Sequence, residues 1–124
     1  MLAVESDDAK DDLKISAQRD ADNTVVSLSG HLNIGSSPIL RDRLLAILQS
    51  DSTKAVIVDL TEVPYIDASG IATLVEALKI ARTHQATLCL KGLQGRLLHL
   101  FEVTGISALF ETVGCGSPAG WKVS

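Results

Sequence analysis

Short apolar runs that alternate with helical stripes predict an α/β domain, a mixed and mostly parallel sheet of four to five strands with helices packed on it. Val56-Ile57-Val58, with Leu60 just beyond, is apolar on consecutive positions and reads as a central strand covered on both faces. Ile71, Leu74, Val75 and Leu78 then recur at i, i+3, i+4 and i+7, the spacing of a helix with one buried face. Thr87-Leu88-Cys89-Leu90 restarts the pattern with a second buried strand.

Taken in order, residues 1–11 are polar and acidic, have little to bury, and read as a disordered segment ahead of a domain over 12–113. Ile15 and Ala17 alternate with polar neighbours, as do Val26 and Leu28, which predicts two strands joined through Asp20-Ala21-Asp22-Asn23. Ser37-Pro38 is a helix-start signal, a cap followed by proline at the first position. Leu40, Leu44, Ile47 and Leu48 continue it as a stripe that ends near Ser50. The strand Val56 to Leu60 leads through a connector, Thr61 to Ile66, into a helix from Ser69 to about His84. After the strand at 87–90, a short helix is expected from about Gln94 to Val103, with Gly105 capping its end. Ala108 to Val113 reads as an edge strand, and 114–124 has the composition of a flexible tail.

With 124 residues the chain forms one domain with a single core. Its net charge of −4 comes with no cluster of Lys and Arg, which argues against nucleic acid and against anionic membranes. The acidic N-terminus is unlike a secretory signal, and the apolar runs are too short for membrane insertion. Cys89 and Cys115 lack a Cys-x-x-Cys spacing; Cys89 reads as a small buried hydrophobe, and a reducing cytoplasm is the expected location.

The chemistry concentrates in Asp67-Ala68-Ser69-Gly70, where a strand has ended and a helix begins. Asp67 is placed as the N-cap, its carboxylate accepting from first-turn amides. Ser69 lies in that first turn, near the positive end of the helix dipole, where a phosphate on its hydroxyl would be favoured. Gly70, without a side chain, would let a partner approach the helix start. Thr73, one turn on, is a further candidate on the same side, although an exposed helix threonine is its default reading. A hydrolase elbow, Gly-x-Ser-x-Gly, fails because Asp67 and Ile71 occupy the glycine positions. Gly92-Leu93-Gln94-Gly95 lacks the Lys-Ser/Thr of a phosphate loop, and His31, His84 and His99 have no metal-ligand spacing. No enzyme, cofactor or metal is therefore expected.

These residues carry a resemblance. The stretch from Val56 to Phe110, with Gly30-His31-Leu32-Asn33 upstream and the run Arg96 to Ile106 downstream, resembles the STAS domain family and is most similar to bacterial anti-sigma factor antagonists. In that family the serine before the glycine is phosphorylated by a partner kinase, and that residue here is Ser69. The resemblance implies a single STAS-like domain, a monomer when free. It also implies three partners: an anti-sigma factor that is a serine kinase, a metal-dependent serine phosphatase and, indirectly, a sigma factor. The unphosphorylated form would bind the kinase through Asp67, Ala68, Ser69, Gly70 and Thr73 with His31 and Asn33, and phosphate on Ser69 would release it. Many family members have Asp where this chain has Asn33, and often Glu where it has His31, so its partner surface carries less negative charge. The alternative expectation is a structural STAS subunit of a lipid-transport or other multiprotein assembly, without phosphate control.

Overall fold

The computed structural model describes residues 7–8, 13–50 and 53–113. Its sheet has the strands β1 (Asp7–Asp8), β2 (Leu13–Asp20), β3 (Asn23–Leu32), β4 (Ala55–Ile66) and β5 (Thr87–Lys91), in that spatial order. The first three pair antiparallel, while β3–β4 and β4–β5 are parallel. Parallel neighbours need crossovers, and these are α1 (Ser37–Leu48) and α2 (Ala68–Thr83). Two right-handed crossovers stepping the same way along a sheet put both helices on one face, and α1 indeed packs on α2. A bidentate ion pair from Arg41 to Glu76, at 2.9 and 2.8 Å, ties their outer surfaces together. The shorter α3 (Gly95–Val103) and α4 (Ile106–Val113) complete the chain that is described.

The core is the layer between sheet and helices. Leu13, Ile15, Val26, Leu28, Val56, Val58, Leu88 and Leu90 point into it from the strands. Leu40, Leu44, Leu48, Leu74, Leu78, Phe101 and Phe110 meet them from the helices. Residues on the opposite face, Val25, Ile57 and Cys89, are only half-buried. β4 lies inside the sheet, between β3 and the edge strand β5, and is fully covered on one face alone, not on both as its apolar run suggests. Cys89 is neither fully buried nor a lone thiol, being disulfide-bonded.

Three elements depart from the sequence expectation. β4 does not stop at Leu60; it runs on to Ile66, through the stretch expected to be a connector. That extension pairs with β3 through Ser29↔Glu62, His31↔Tyr65 and Leu32↔Ile66, with register shifts between Ser27 and Ser29 and between Ser29 and His31. Such irregularities break the alternation by which a strand is recognised: Val63 and Ile66 are the buried positions, three apart. Residues 106–113 form a helix instead of an edge strand. Ile106, Leu109 and Phe110 lie at i, i+3, i+4 and pack on the core, and Gly105 (φ +81°) turns the chain between the two short helices. Asp7–Asp8, inside the segment expected to be disordered, pair with Ile15 and Lys14, a backbone contact that no side-chain pattern announces. The expected tail over 114–124 lies outside the described residues.

Candidate functional site

The extension of β4 is what places the site. Its last residue pairs with Leu32, and the Asp67 amide donates to the Leu32 carbonyl at 3.0 Å, so the chain enters α2 beside the end of β3. The stretch after β3, residues 33–36, folds tightly around two polar side chains. Asn33 Oδ1 accepts from the amides of Gly35 (2.9 Å) and Ser36 (3.2 Å), as asparagine does in a local turn. The Ser36 hydroxyl accepts from the Asn33 amide (3.0 Å) and donates to the His31 carbonyl (2.9 Å). Ser36, fully buried, is the N-cap residue of α1, and Pro38 lies in the helix's first turn, one position later than a Ser37 cap would put it.

Asp67 caps α2 as expected, with extended backbone (φ −101°, ψ −173°). Its Oδ1 accepts from the Gly70 amide at 3.1 Å and from the Ser69 hydroxyl at 2.6 Å, the short distance typical of a charge-assisted bond. Its Oδ2 reaches across to accept from the Ile34 amide at 3.2 Å, 33 residues away in sequence. One carboxylate thus joins the start of α2 to the loop before α1. The Ser69 hydroxyl is the main cause that holds the Asp67 carboxyl below the usual aspartate range; desolvation, next in size, opposes it, and the amides of Gly70, Ser69 and Ile34 add smaller lowering effects.

Ser69 is half-buried, and its Oγ lies 3.2 Å from the Oγ of Ser37, in the first turn of α1. The Ser37 hydroxyl is also 2.7 Å from the Asn33 carbonyl. With the Ser69 proton committed to Asp67, the Ser37 proton is divided between Asn33 and Ser69. Two helix N-termini therefore converge on one hydroxyl, which is where a phosphate would gain most from free amides and aligned dipoles.

The remaining expected residues divide. Ala68 and His31 are exposed and Asn33 is half-buried, all around the same corner. Gly70 and Thr73 do not face outward. A Cβ built on Gly70 would come within 2.7 Å of Leu32 Cγ and 2.8 Å of Ile66 Cγ2, so the missing side chain serves close packing of α2 on the strand ends. Thr73 is buried at 7% exposure, and its hydroxyl donates back to the Ser69 carbonyl at 3.0 Å. It braces the first turn and offers no surface.

Sequence reasoning missed three residues of this corner. Ser37 was visible only as a helix-start signal, because its meeting with Ser69 is set by how α1 and α2 pack. Ile34, 78% exposed, and Tyr65, half exposed, are the large apolar side chains of the corner. Tyr65 stands edge-on to the His31 ring, with centroids 5.8 Å apart and planes at 74°. A cleft of about 410 Å³ lies elsewhere, where β4 outruns β5, lined by Thr61, Glu62, Gly92, Gln94, Arg96 and neighbours. Among the described residues no cluster of His, Cys, Asp or Glu could hold a metal, and no helix is long and apolar enough to cross a membrane.

A family model described as the STAS domain matches residues 14–114. An anti-sigma-B factor antagonist from Listeria monocytogenes is 35% identical over 94 residues, covering 76% of this chain and 82% of the relative. The crystal structure of an anti-sigma factor antagonist from Mycobacterium paratuberculosis superposes with a TM-score of 0.69 at 20% identity, covering 82% of this chain and 85% of that one. SpoIIAA in its unphosphorylated form superposes with a TM-score of 0.68 at 13% identity, over 76% and 83% of the two chains. At those identities the two structures speak to the fold alone.

Proposed function

The chain belongs to the STAS domain family, and we propose that within it the protein is an anti-sigma factor antagonist switched by phosphate on Ser69. The observation that carries this reading is the Ser69 hydroxyl itself. It is half-exposed between two helix N-termini, next to exposed Ala68 and near the loop of exposed Ile34, whose amide binds the same Asp67 carboxylate. The name of the Listeria relative supports the same role.

In this reading the unphosphorylated corner docks on an anti-sigma factor that is also a serine kinase, and the sigma factor is set free. Ala68, Ser69 and the apolar Ile34 and Tyr65 are the contact residues, with His31 and Asn33 at the margin. The protein is the acceptor of the phosphoryl group; the nucleotide belongs to the kinase, and a metal-dependent phosphatase resets the switch. All of this is placed in the cytoplasm, where sigma factors act.

Phosphorylation adds about −1.5 to −2 charges at neutral pH. The two helix ends compensate that charge within the domain, so the fold is expected to survive it. A partner surface has no such compensation. A like-charge pair about 5 Å apart costs roughly 3 kcal/mol at an effective dielectric of about 20, on the order of a hundredfold in affinity. The test is reaction with the cognate kinase and MgATP, followed by peptide mass spectrometry and binding measurements. Phosphate is expected at Ser69, with Ser69→Ala bound and never released, and Ser69→Asp bound more weakly. Phosphate mainly at Thr73, or none from an active kinase, overturns the reading. Equal affinity of wild type, Ser69→Ala and Ser69→Asp would favour an unswitched structural subunit.

A further inference from the structure

We infer that Asp67 receives the Ser69 proton during phosphoryl transfer, so that this protein brings the base for its own modification. The inference rests on the reading of Ser69 as the phosphoryl acceptor. It adds a chemical role to a residue that would otherwise be only a helix cap.

Three features of the corner point to it. The Ser69 hydroxyl donates to Asp67 Oδ1 at 2.6 Å, already within the reach a general base requires. That carboxylate does not swing freely, because the Gly70 amide holds Oδ1 and the Ile34 amide holds Oδ2, from two different segments. The other neighbour of the reacting oxygen, Ser37 Oγ at 3.2 Å, is neutral and can supply a proton to Oγ but cannot usefully remove one. With the proton directed at Asp67, a lone pair of Ser69 Oγ remains available to an electrophile approaching from the open side of the corner.

The step balances as follows. Ser69 Oγ attacks the terminal phosphorus of a nucleoside triphosphate; the new bond is Oγ–P, and the bond broken is that from phosphorus to the bridging oxygen. Its electron pair leaves with the nucleoside diphosphate, and the hydroxyl proton passes to Asp67. The dianion created beside Asp67 then favours the protonated carboxyl, which donates back to the phosphate until the proton is lost to solvent.

Because Asp67 is also the cap of α2, the test must separate chemistry from folding. Asn and Ser are as good at the N-cap as Asp, so Asp67→Asn and Asp67→Ser keep the helix start and remove the basic carboxylate. Steady-state phosphorylation of each by the purified kinase that modifies the wild-type chain, with MgATP, is compared after thermal melts identify the folded variants. A general base contributes about 10²- to 10⁴-fold, so kcat should fall by at least the lower figure. KM for the protein should stay within about threefold, as expected when an interaction specific to the transition state is lost. Either folded variant turning over at the wild-type kcat overturns the assignment and leaves the reading of Ser69 standing. A fall seen only as a raised KM also overturns it, making Asp67 a docking residue. No phosphate on wild-type Ser69 overturns both.

Discussion

The two helix ends that meet at Ser69 are built from similar residue types and used differently. At α1 the cap residue is a neutral serine, fully buried, whose hydroxyl is spent on the loop before it, on the Asn33 amide and the His31 carbonyl; it makes no bond to its own helix. At α2 the cap residue is a charged aspartate, half-exposed, whose carboxylate serves its helix, the phosphoacceptor candidate and the neighbouring loop together. The first end is closed, each hydrogen bond turned inward. The second is poised, because the group that stabilises it is ionised and touches a half-exposed hydroxyl. A buried neutral cap fixes geometry, whereas a half-exposed charged one couples that geometry to the protonation of its own carboxyl.

The sharpest way to break this contrast is through Gly70, the seat of the α2 end on the strands. Gly70→Ala pushes a methyl group into Leu32 and Ile66, and overpacking of this kind costs about 1–3 kcal/mol. A thermal melt should show a midpoint lower by roughly 4 °C per kcal/mol; an unchanged midpoint would return Gly70 to the role of an opening for a partner.

Next come the caps themselves. Asp67→Ala should cost about 1–2 kcal/mol in denaturant unfolding, since it frees the Gly70 and Ile34 amides and the Ser69 hydroxyl. Ser36→Ala should cost about 1 kcal/mol and leave Ser69 unaffected in its phosphorylation. If Ser36→Ala also slows modification, the two ends are mechanically one unit.

Acid separates them in direction. The folded-state pKa of Asp67 is depressed, mainly by the Ser69 hydroxyl, so its stabilisation is complete above the unfolded value of about 3.9 and is lost as pH falls through the lower folded value. Glu76 is depressed in the same sense, first by its hydrogen bond from Arg41, and loses its contribution as pH falls through its own lowered folded value. Melting midpoints followed from neutral pH down through that window should therefore fall less steeply in Asp67→Asn than in wild type, while Ser36→Ala keeps the wild-type slope. Parallel curves for all three would mean that the Ser69 hydrogen bond is absent in solution.

The smallest expected effect is the contact between the ends. A double-mutant cycle of Ser37→Ala and Ser69→Ala should return a coupling of about 0.5–1 kcal/mol in unfolding free energy. A coupling indistinguishable from zero would make the two termini neighbours without interaction.

How much of this was legible in the sequence depended on whether the signal was local. The crossover helices, the strands at 13–32 and 87–91, and the Asp67 cap all announce themselves through period and spacing within a few residues. α4 does not: Ala108 to Val113 reads as an edge strand, because the helical period of Ile106, Leu109 and Phe110 begins before that stretch. The far half of β4 was hidden because the irregular pairing with β3 sets its burial, not its own alternation. Gly70 and Thr73 have the right address and the wrong orientation, and only packing tells an inward residue from an outward one. Ser37 and Ile34 come to Ser69 and Asp67 from more than thirty residues away, a distance across which no motif reaches.

The overhang of β4 also bears on how the protein behaves in a crowded solution. Its pairing with β5 ends at Asp59↔Lys91, so beyond that point the strand is paired on the β3 side only, with Gly92 packed against Thr61 and the start of α3 flanking the cleft on the other side. A strand edge left unpaired is a template on which a second chain can add, and runs of that kind promote self-association. Here the overhang carries Pro64, which has no amide proton to offer, and Glu62, whose charge would be repelled by a copy of itself. The irregular pairing twists the same stretch away from flatness. The segment that carries Ser69 to its place is thus also guarded against polymerising through it.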